Sequence, residues 1–204
     1  MLLKWAVVFV FFALPLLEAP AAAATIDFET LSDRELLTTQ FPGILFSNAM
    51  ALTSGFIGGS LNELENPPHS GLTVITDNLG MMTLEFLSPI TSFSAFFTYR
   101  VPLIVSAFDQ FGNVLASRNS SFTNNQGLSG VQGSSPNELI AINSGPGISR
   151  IVISGSSQGN SFTVDDVNTI GASAVPEPET LSLVFAGGLT VFALHRRSKL
   201  KIQR

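Results

Sequence analysis

The sequence predicts an all-β fold, a single β-sandwich or jelly-roll-like domain over residues 25–171. Short apolar or alternating runs recur there, separated by Gly, Asn, Ser and Pro, and this spacing is typical of sandwiches and jelly rolls. The same region shows no convincing helical period. The predicted strands are Thr25–Phe28, Ile44–Ser47, Met50–Leu52, Leu72–Thr76, Met82–Phe86, Ile90–Tyr99, Leu103–Asp109, Val114–Ser120, Glu138–Ile142, Arg150–Ser154 and Phe162–Ile170.

The N-terminal residues 1–24 have the three parts of a secretory signal peptide. Lys4 is followed by thirteen apolar residues, Trp5–Leu17, and then by the small residues Ala22–Ala24. Cleavage is expected before Thr25. The alternative is an uncleaved membrane helix, but the run is shorter than the ~20 residues that a span needs.

A β-hairpin is the clearest local unit of the central region. Val105 and Ala107 alternate with polar or smaller neighbours, and Asp109–Asn113 reverses the chain before Val114. Gly112 can adopt the positive φ that such a loop needs. The aromatic-rich stretch TSFSAFFTYR before it favours a central strand.

Two long polar segments, Gly55–Gly71 and Ser121–Pro136, are predicted to be loops at the ends of the sandwich. Loops on a rigid scaffold often hold binding sites. Mobile connections without a role are the alternative.

The charge distribution limits the partners of this domain. Its four arginines stand against twelve acidic residues, a net charge of −8 between residues 25 and 175. Such a surface repels phosphate backbones, so nucleic acid is not an expected partner. The chain has no cysteine, which excludes disulfides, zinc–thiolate sites and cysteine nucleophiles.

Two carboxylate pairs are the candidate metal ligands. Asp27 and Glu29 point to one face of the first predicted strand, and Asp165 and Asp166 lie in the last. The first and last strands of a sandwich often lie close together. No cofactor is certain, but Ca²⁺ would balance the clustered charge and tie the two ends of the domain.

Two interpretations without calcium also fit these carboxylates. In the first, they are solvated carboxylates at strand ends, which pair with Arg34 or Arg150. They could also do the acid–base work of a glycosidase, although the sequence does not give their separation. His69, the single histidine of the central region, lacks the G-x-S-x-G partner of a hydrolase triad.

The C-terminus divides into a linker (residues 172–180), an apolar segment (181–194) and a basic tail (195–204). As a helix the apolar segment would be ~21 Å long, against a hydrocarbon core of ~30 Å. A basic cluster beside it predicts a cytoplasmic tail. The membrane-flanking basic residues are Arg196, Arg197, Lys199 and Lys201.

This tail resembles the PEP-CTERM sorting signal of Gram-negative bacteria, a segment also labelled an ice-binding-protein C-terminal domain without implying ice binding. An apolar stretch with Gly187–Gly188 and then the basic residues follow the sorting motif. The resemblance implies processing by exosortase, an inner-membrane intermediate, and delivery to the cell surface or an exopolysaccharide matrix. An ordinary single-span anchor and a buried helix are the alternatives. The motif residues are Val175, Pro176, Glu177, Pro178 and Glu179.

The central region also resembles β-sandwich domains common in such proteins. They often open with a D-F-E segment, here Asp27–Glu29, followed by a strand like Gly43–Ser47, and close with a strand like Phe162–Asp166. This resemblance assigns no activity.

Together these observations predict an exported, non-enzymatic protein of the cell surface or exopolysaccharide matrix. Its expected partners are signal peptidase, exosortase, the membrane through its C-terminal segment, and extracellular polysaccharide. The alternatives are an extracellular polysaccharide hydrolase that uses an Asp/Glu pair, and an inert spacer.

Overall fold

The computed structural model describes residues 23–171 of the 204-residue chain. Within that range the chain forms ten β-strands and one short 3-10 helix, so the all-β prediction is confirmed. The strands are β1 (Ala23–Ile26), β2 (Leu36–Leu37), β3 (Ile44–Ser47), β4 (Ala49–Thr53), β5 (Thr73–Asn78), β6 (Met82–Tyr99), β7 (Ile104–Phe108), β8 (Val114–Asn119), β9 (Glu138–Ser154) and β10 (Gly159–Gly171), and the helix is Gly55–Ile57.

All of these strands pair antiparallel, in the order β2-β4-β5-β10-β6-β9-β7-β8, with β1 also on β10 and β3 also on β6. The long strands β6 and β9 contribute to both layers of the sandwich. The first sheet contains β1, β2, β4, β5 and β10, with residues 90–99 of β6 and 138–143 of β9. The second sheet contains β3, β7 and β8, with residues 82–86 of β6 and 150–154 of β9.

The two sheets meet where β6 and β9 bend. The β6–β9 register shifts between Glu85 and Ile90, as it does when a bulge turns a strand. Pro89 lies at this bend, and a Cβ on Gly147, which has φ +90°, would be 3.1 Å from the Pro89 Cβ. Glycine therefore allows the two strands to turn together.

One apolar core lies between the sheets. Alternate residues point inward, such as Ile75, Phe97 and Val164 from the first sheet and Leu84 and Ile151 from the second, and each is fully or almost fully buried. Burying one such side chain stabilises the fold by about 1.5–3 kcal/mol. The intervening residues of each sheet form its outer face.

Several boundaries differ from those predicted. β1 begins at Ala23, two residues before the predicted cleavage point, and Ala23 pairs with Ile170. Four predicted strands join into two, β6 and β9, and the short strand β2 has no distinct pattern in the sequence. The 109–113 hairpin is confirmed, with Gly112 at φ +85°.

The rest of the predicted signal peptide, the PEP motif, the apolar segment and the basic tail lie outside the described residues. Between residues 23 and 171, no helix has the length and apolar character needed to cross a membrane.

Candidate functional site

The expected closeness of the first and last strands is confirmed, and it brings carboxylates from both ends of the domain to one loop, residues 69–73. Asp165 of β10 accepts hydrogen bonds from the backbone N–H groups of His69 (2.7 Å) and Ser70 (2.9 Å). Asp166 accepts from His69 Nδ1 (2.6 Å) and Ser70 Oγ (2.9 Å). Glu29 accepts the next N–H groups along the loop.

Glu29 fixes the second half of that loop. Its carboxylate accepts from the N–H groups of Leu72 (3.0 Å) and Thr73 (2.8 Å). Gly71 has φ +55°, and a Cβ there would collide with the Glu29 carboxylate. Asp27 is exposed, and within residues 23–171 its carboxylate accepts only the Glu29 N–H (3.2 Å). The three clasping carboxylates and loop 69–73 are called the carboxylate clasp below.

Burial sets the protonation behaviour of the clasp. The pKa of Asp165 is raised from an ordinary 3.8 to about 6. Loss of solvent is the largest cause and the charge of Asp166 acts in the same direction, whereas the N–H donors of Ser70, Asp166 and His69 oppose the rise. Desolvation disfavours the charged form of a carboxyl group, and a neighbouring negative charge acts in the same direction.

The clasp provides hydrogen-bond donors where calcium was predicted. Backbone N–H groups are directed at Glu29 and Asp165, and in the part of the chain from 23 to 171 no group of three or more Asp, Glu or His residues is placed to hold a metal ion. Neither observation tests calcium binding itself, so the calcium site on Asp27, Glu29, Asp165 and Asp166 stays a prediction. Of the two arginines proposed as their partners, Arg34 lies against Asp33, with Nε 3.9 Å from Oδ2.

The long loops were predicted at the ends of the sandwich, and in the structure they extend over the outer face of the first sheet. The His69 ring stacks on Phe96 with a centroid separation of 3.4 Å. The Asn137 N–H donates to Thr98 Oγ1 (3.0 Å), and the Gly127 N–H donates to the Glu65 carbonyl (2.9 Å). The clasp attaches the end of the 55–71 loop to this outer face, because both of its β10 carboxylates lie there.

The second sheet has an open outer face with a depression of about 360 Å³. Strand pairing places Leu45, Glu85, Arg150 and Phe108 side by side across β3, β6, β9 and β7. We call these four residues the cross-strand row. Leu45, Glu85 and Arg150 of this row line the depression. Its other lining residues come from β6, the bend and the 109–113 hairpin: Phe86, Leu87, Pro89, Asp109, Gln110, Gly112 and Ser149.

Arg150 is the cation of this depression. Its guanidinium carbon lies 4.7 Å from the centroid of the Phe108 ring, a cation–π contact that fixes the side chain in place. Its Nε–H is buried without a hydrogen-bond partner in the described residues. Hydrogen bonds, the largest from the Asn113 side chain, lower the pKa of Asp109 and keep it ionised.

Sequence reasoning missed this row. Glu85 and Arg150 occupy outward positions in otherwise apolar strands, which was a visible signal. Their adjacency depends on the β6–β9 register, however, and a one-residue shift would have sent them to opposite faces.

No protein-family model matches the chain, and no curated protein matches it. Among solved structures, it is similar to the K2 cleaved adhesin domain of Lys-gingipain (12% identity, TM-score 0.47, 72% of this chain and 99% of that one). It is also similar to the K1 cleaved adhesin domain from Porphyromonas gingivalis W83 (10%, 0.44, 74% and 99%). A family 29 carbohydrate-binding module mutant is similar at 8% identity and TM-score 0.38, over 77% of this chain and 99% of that one. Similarity at this level assigns no ligand to the chain.

Proposed function

We propose that this protein binds a neutral extracellular polysaccharide through the depression over the cross-strand row, as an exported, non-enzymatic component of the cell surface or matrix. The observation that supports this most directly is the row itself. It sets apolar, acidic and basic side chains side by side on a rigid, open sheet face.

Each part of the depression matches one feature of a sugar chain. Sugar rings have apolar C–H faces, which suit the exposed surfaces of Leu45 and Leu87. Their hydroxyl edges donate and accept hydrogen bonds. The Glu85 carboxylate can accept from them, and the Arg150 guanidinium can donate.

The charges favour a neutral ligand over a polyanion. Glu85 and Asp109 outnumber Arg150 in the lining, and the whole domain is acidic. An anionic polymer would meet net repulsion, whereas hydroxyl groups bond well to both kinds of charged group.

Delivery of the domain is the other half of the proposal. The PEP-CTERM resemblance supports sorting through Val175–Glu179, with exosortase and signal peptidase as processing enzymes. It supports an inner-membrane intermediate in a Gram-negative bacterium, followed by release or display outside the cell.

The binding claim can be tested by affinity gel electrophoresis in xylan, β-glucan and mannan. We expect at least one gel to retard the protein, and Arg150→Ala to weaken that binding about tenfold, since about 1.4 kcal/mol corresponds to one decade. Arg118→Ala, at an exposed arginine outside the depression, is the matched control.

Two results would refute the proposal. One is the absence of retardation in all three gels. The other is an equal loss in Arg118→Ala, because that would point to overall charge rather than the depression. Thermal unfolding of both variants separates lost binding from lost folding.

A further inference from the structure

A second, smaller pocket of about 190 Å³ lies on the outer face of the first sheet. Its base is formed by Thr76 of β5 and Thr163 of β10, which pair in register and face away from the core. Residues 60–62, Asn66 and Gln126, from the two covering loops, form its walls. The pocket and the depression over the cross-strand row therefore lie on opposite sides of the same core.

The lining of this pocket combines polar side chains with the apolar Leu52, Leu61 and Phe162. Among the described residues, no Asp, Glu, Lys, Arg or His lines it. Four amide side chains line it together with Thr163, and each amide has both donor and acceptor atoms. They belong to Asn62, Asn66, Gln126 and Asn160.

Most of the amide atoms are free to bind a ligand. Gln126 Nε2 donates to Asn66 Oδ1 (3.1 Å). The remaining side-chain atoms of the four amides, and Thr163 Oγ1, form no other hydrogen bond within residues 23–171. None of them is buried without a partner there, so they line an accessible space.

The pocket walls are held in place by bonds behind them. The Ser60 N–H donates to Asp33 Oδ1 (3.0 Å), and the Asn66 N–H donates to the Asn62 carbonyl (2.8 Å). The two loops pack so closely that a Cβ on Gly127 would collide with the Leu64 carbonyl. Such preorganisation reduces the entropy that binding would cost.

We propose that this amide-lined pocket is a second sugar-binding site, which takes one neutral sugar unit with hydroxyl donors and acceptors. The inference rests on the proposed function, because it assigns the same ligand class. Its consequence is new: two sites on opposite faces let one molecule hold two polysaccharide chains. The protein then acts as a cross-linker of a glycan matrix.

The number of sites can be measured by isothermal titration calorimetry with xylotriose, cellotriose and mannotriose. We expect two sites per protein molecule with the trisaccharide that binds. The double variant Asn62→Ala/Gln126→Ala should retain only the depression, and Arg150→Ala should weaken the depression about tenfold while the pocket binds as before. Gln158→Ala changes an exposed glutamine outside the pocket and should retain both.

One site in the unmodified protein that the double variant keeps, or two sites in the double variant, would overturn the inference while leaving the depression intact. If Arg150→Ala has no effect and the double variant loses all binding, the pocket is the site and the depression is not. No heat with any trisaccharide would reject both assignments. A mixing assay with soluble polysaccharide adds a second readout, in which only two-site proteins raise the viscosity.

Discussion

A single extra residue in β10 determines what Asp165 and Asp166 can do. In a regular strand two successive side chains point to opposite faces. Here Asp165 pairs with Phe96 and Asn168 with Ser94, so β10 has one residue more than β6, and Asp166 has φ +46°. This bulge lets both carboxylates reach loop 69–73.

Titration of Asp165 should be visible in the pH dependence of stability. Its folded pKa of about 6 exceeds the ordinary 3.8, so between these values the folded state binds more protons than the unfolded chain. The free energy of unfolding should therefore fall as pH rises through this window. Asp165→Asn should flatten that dependence in urea unfolding measured from below pH 4 to above pH 6.

Asp27→Asn is the matched control, because Asp27 is exposed and does not hold the loop. Burial also raises the pKa of Asp77, so Asp165→Asn should remove only part of the contribution that falls with pH. An unchanged slope in Asp165→Asn would contradict the assignment.

The sequence predicted the meeting of Glu29 with Asp165 and Asp166 in part. Pairing of the first and last strands was a sound expectation for a sandwich. The hydrogen-bond donors that stabilise the carboxylates were not visible in the sequence. They are backbone N–H groups of a loop about 100 residues away from β10. Every non-proline residue has such a group, so the sequence does not mark those that will be used.

At the scale of elements, turn-forming residues misled the prediction of strand ends. Pro89 and the Gly145–Gly147 stretch resemble strand breaks, and each marks a place where two short strands were predicted. In the structure β6 and β9 bend there together and pair again on the far side. Proline and glycine occur both in turns that end a strand and at bends within one. Pairing with the neighbouring strand determines which of the two forms.

One buried side chain anchors the loop between β8 and β9. Asn125 accepts a hydrogen bond from the Tyr99 N–H (2.6 Å) and donates to the carbonyls of Phe97 and Ser135 (3.0 Å each). It thereby holds this loop to backbone groups at the end of β6.

Asn125→Ala should lower the free energy of unfolding by about 2–3 kcal/mol, because it leaves buried backbone groups without partners. Urea denaturation measures the change, with Asn119→Ala as the control at an exposed asparagine that forms no side-chain hydrogen bond in residues 23–171. Equal stability of the two variants would mean that water replaces Asn125 at no cost.

At the scale of the whole molecule, the two outer faces differ. Loops cover the first and leave an uncharged pocket, whereas the second is open and has charged residues. From the sequence, the long loops were one candidate for binding, with mobile connections as the alternative, and the proposed amide-lined pocket lies partly between them. The depression lies instead on strands, where its residues are dispersed along the chain from Leu45 to Arg150.

Sorting is also a property of the whole molecule. Deletion of residues 175–204 should leave the protein in the periplasm or the medium, because the proposed exosortase motif and the apolar segment are removed together. Cell fractionation and surface proteolysis measure the outcome. Surface display by the truncated protein at the normal level would refute sorting through this tail.

The pairing of β1 with β10 has a mechanical consequence. Ala23 lies opposite Ile170, and the pairing runs inward from there to Ile26 and Val167. A force that pulls residues 23 and 171 apart therefore loads these pairs one after another, as in unzipping, and not all at once, as in shear. Under tension β1 should peel away at low force, while the strands around the core still hold.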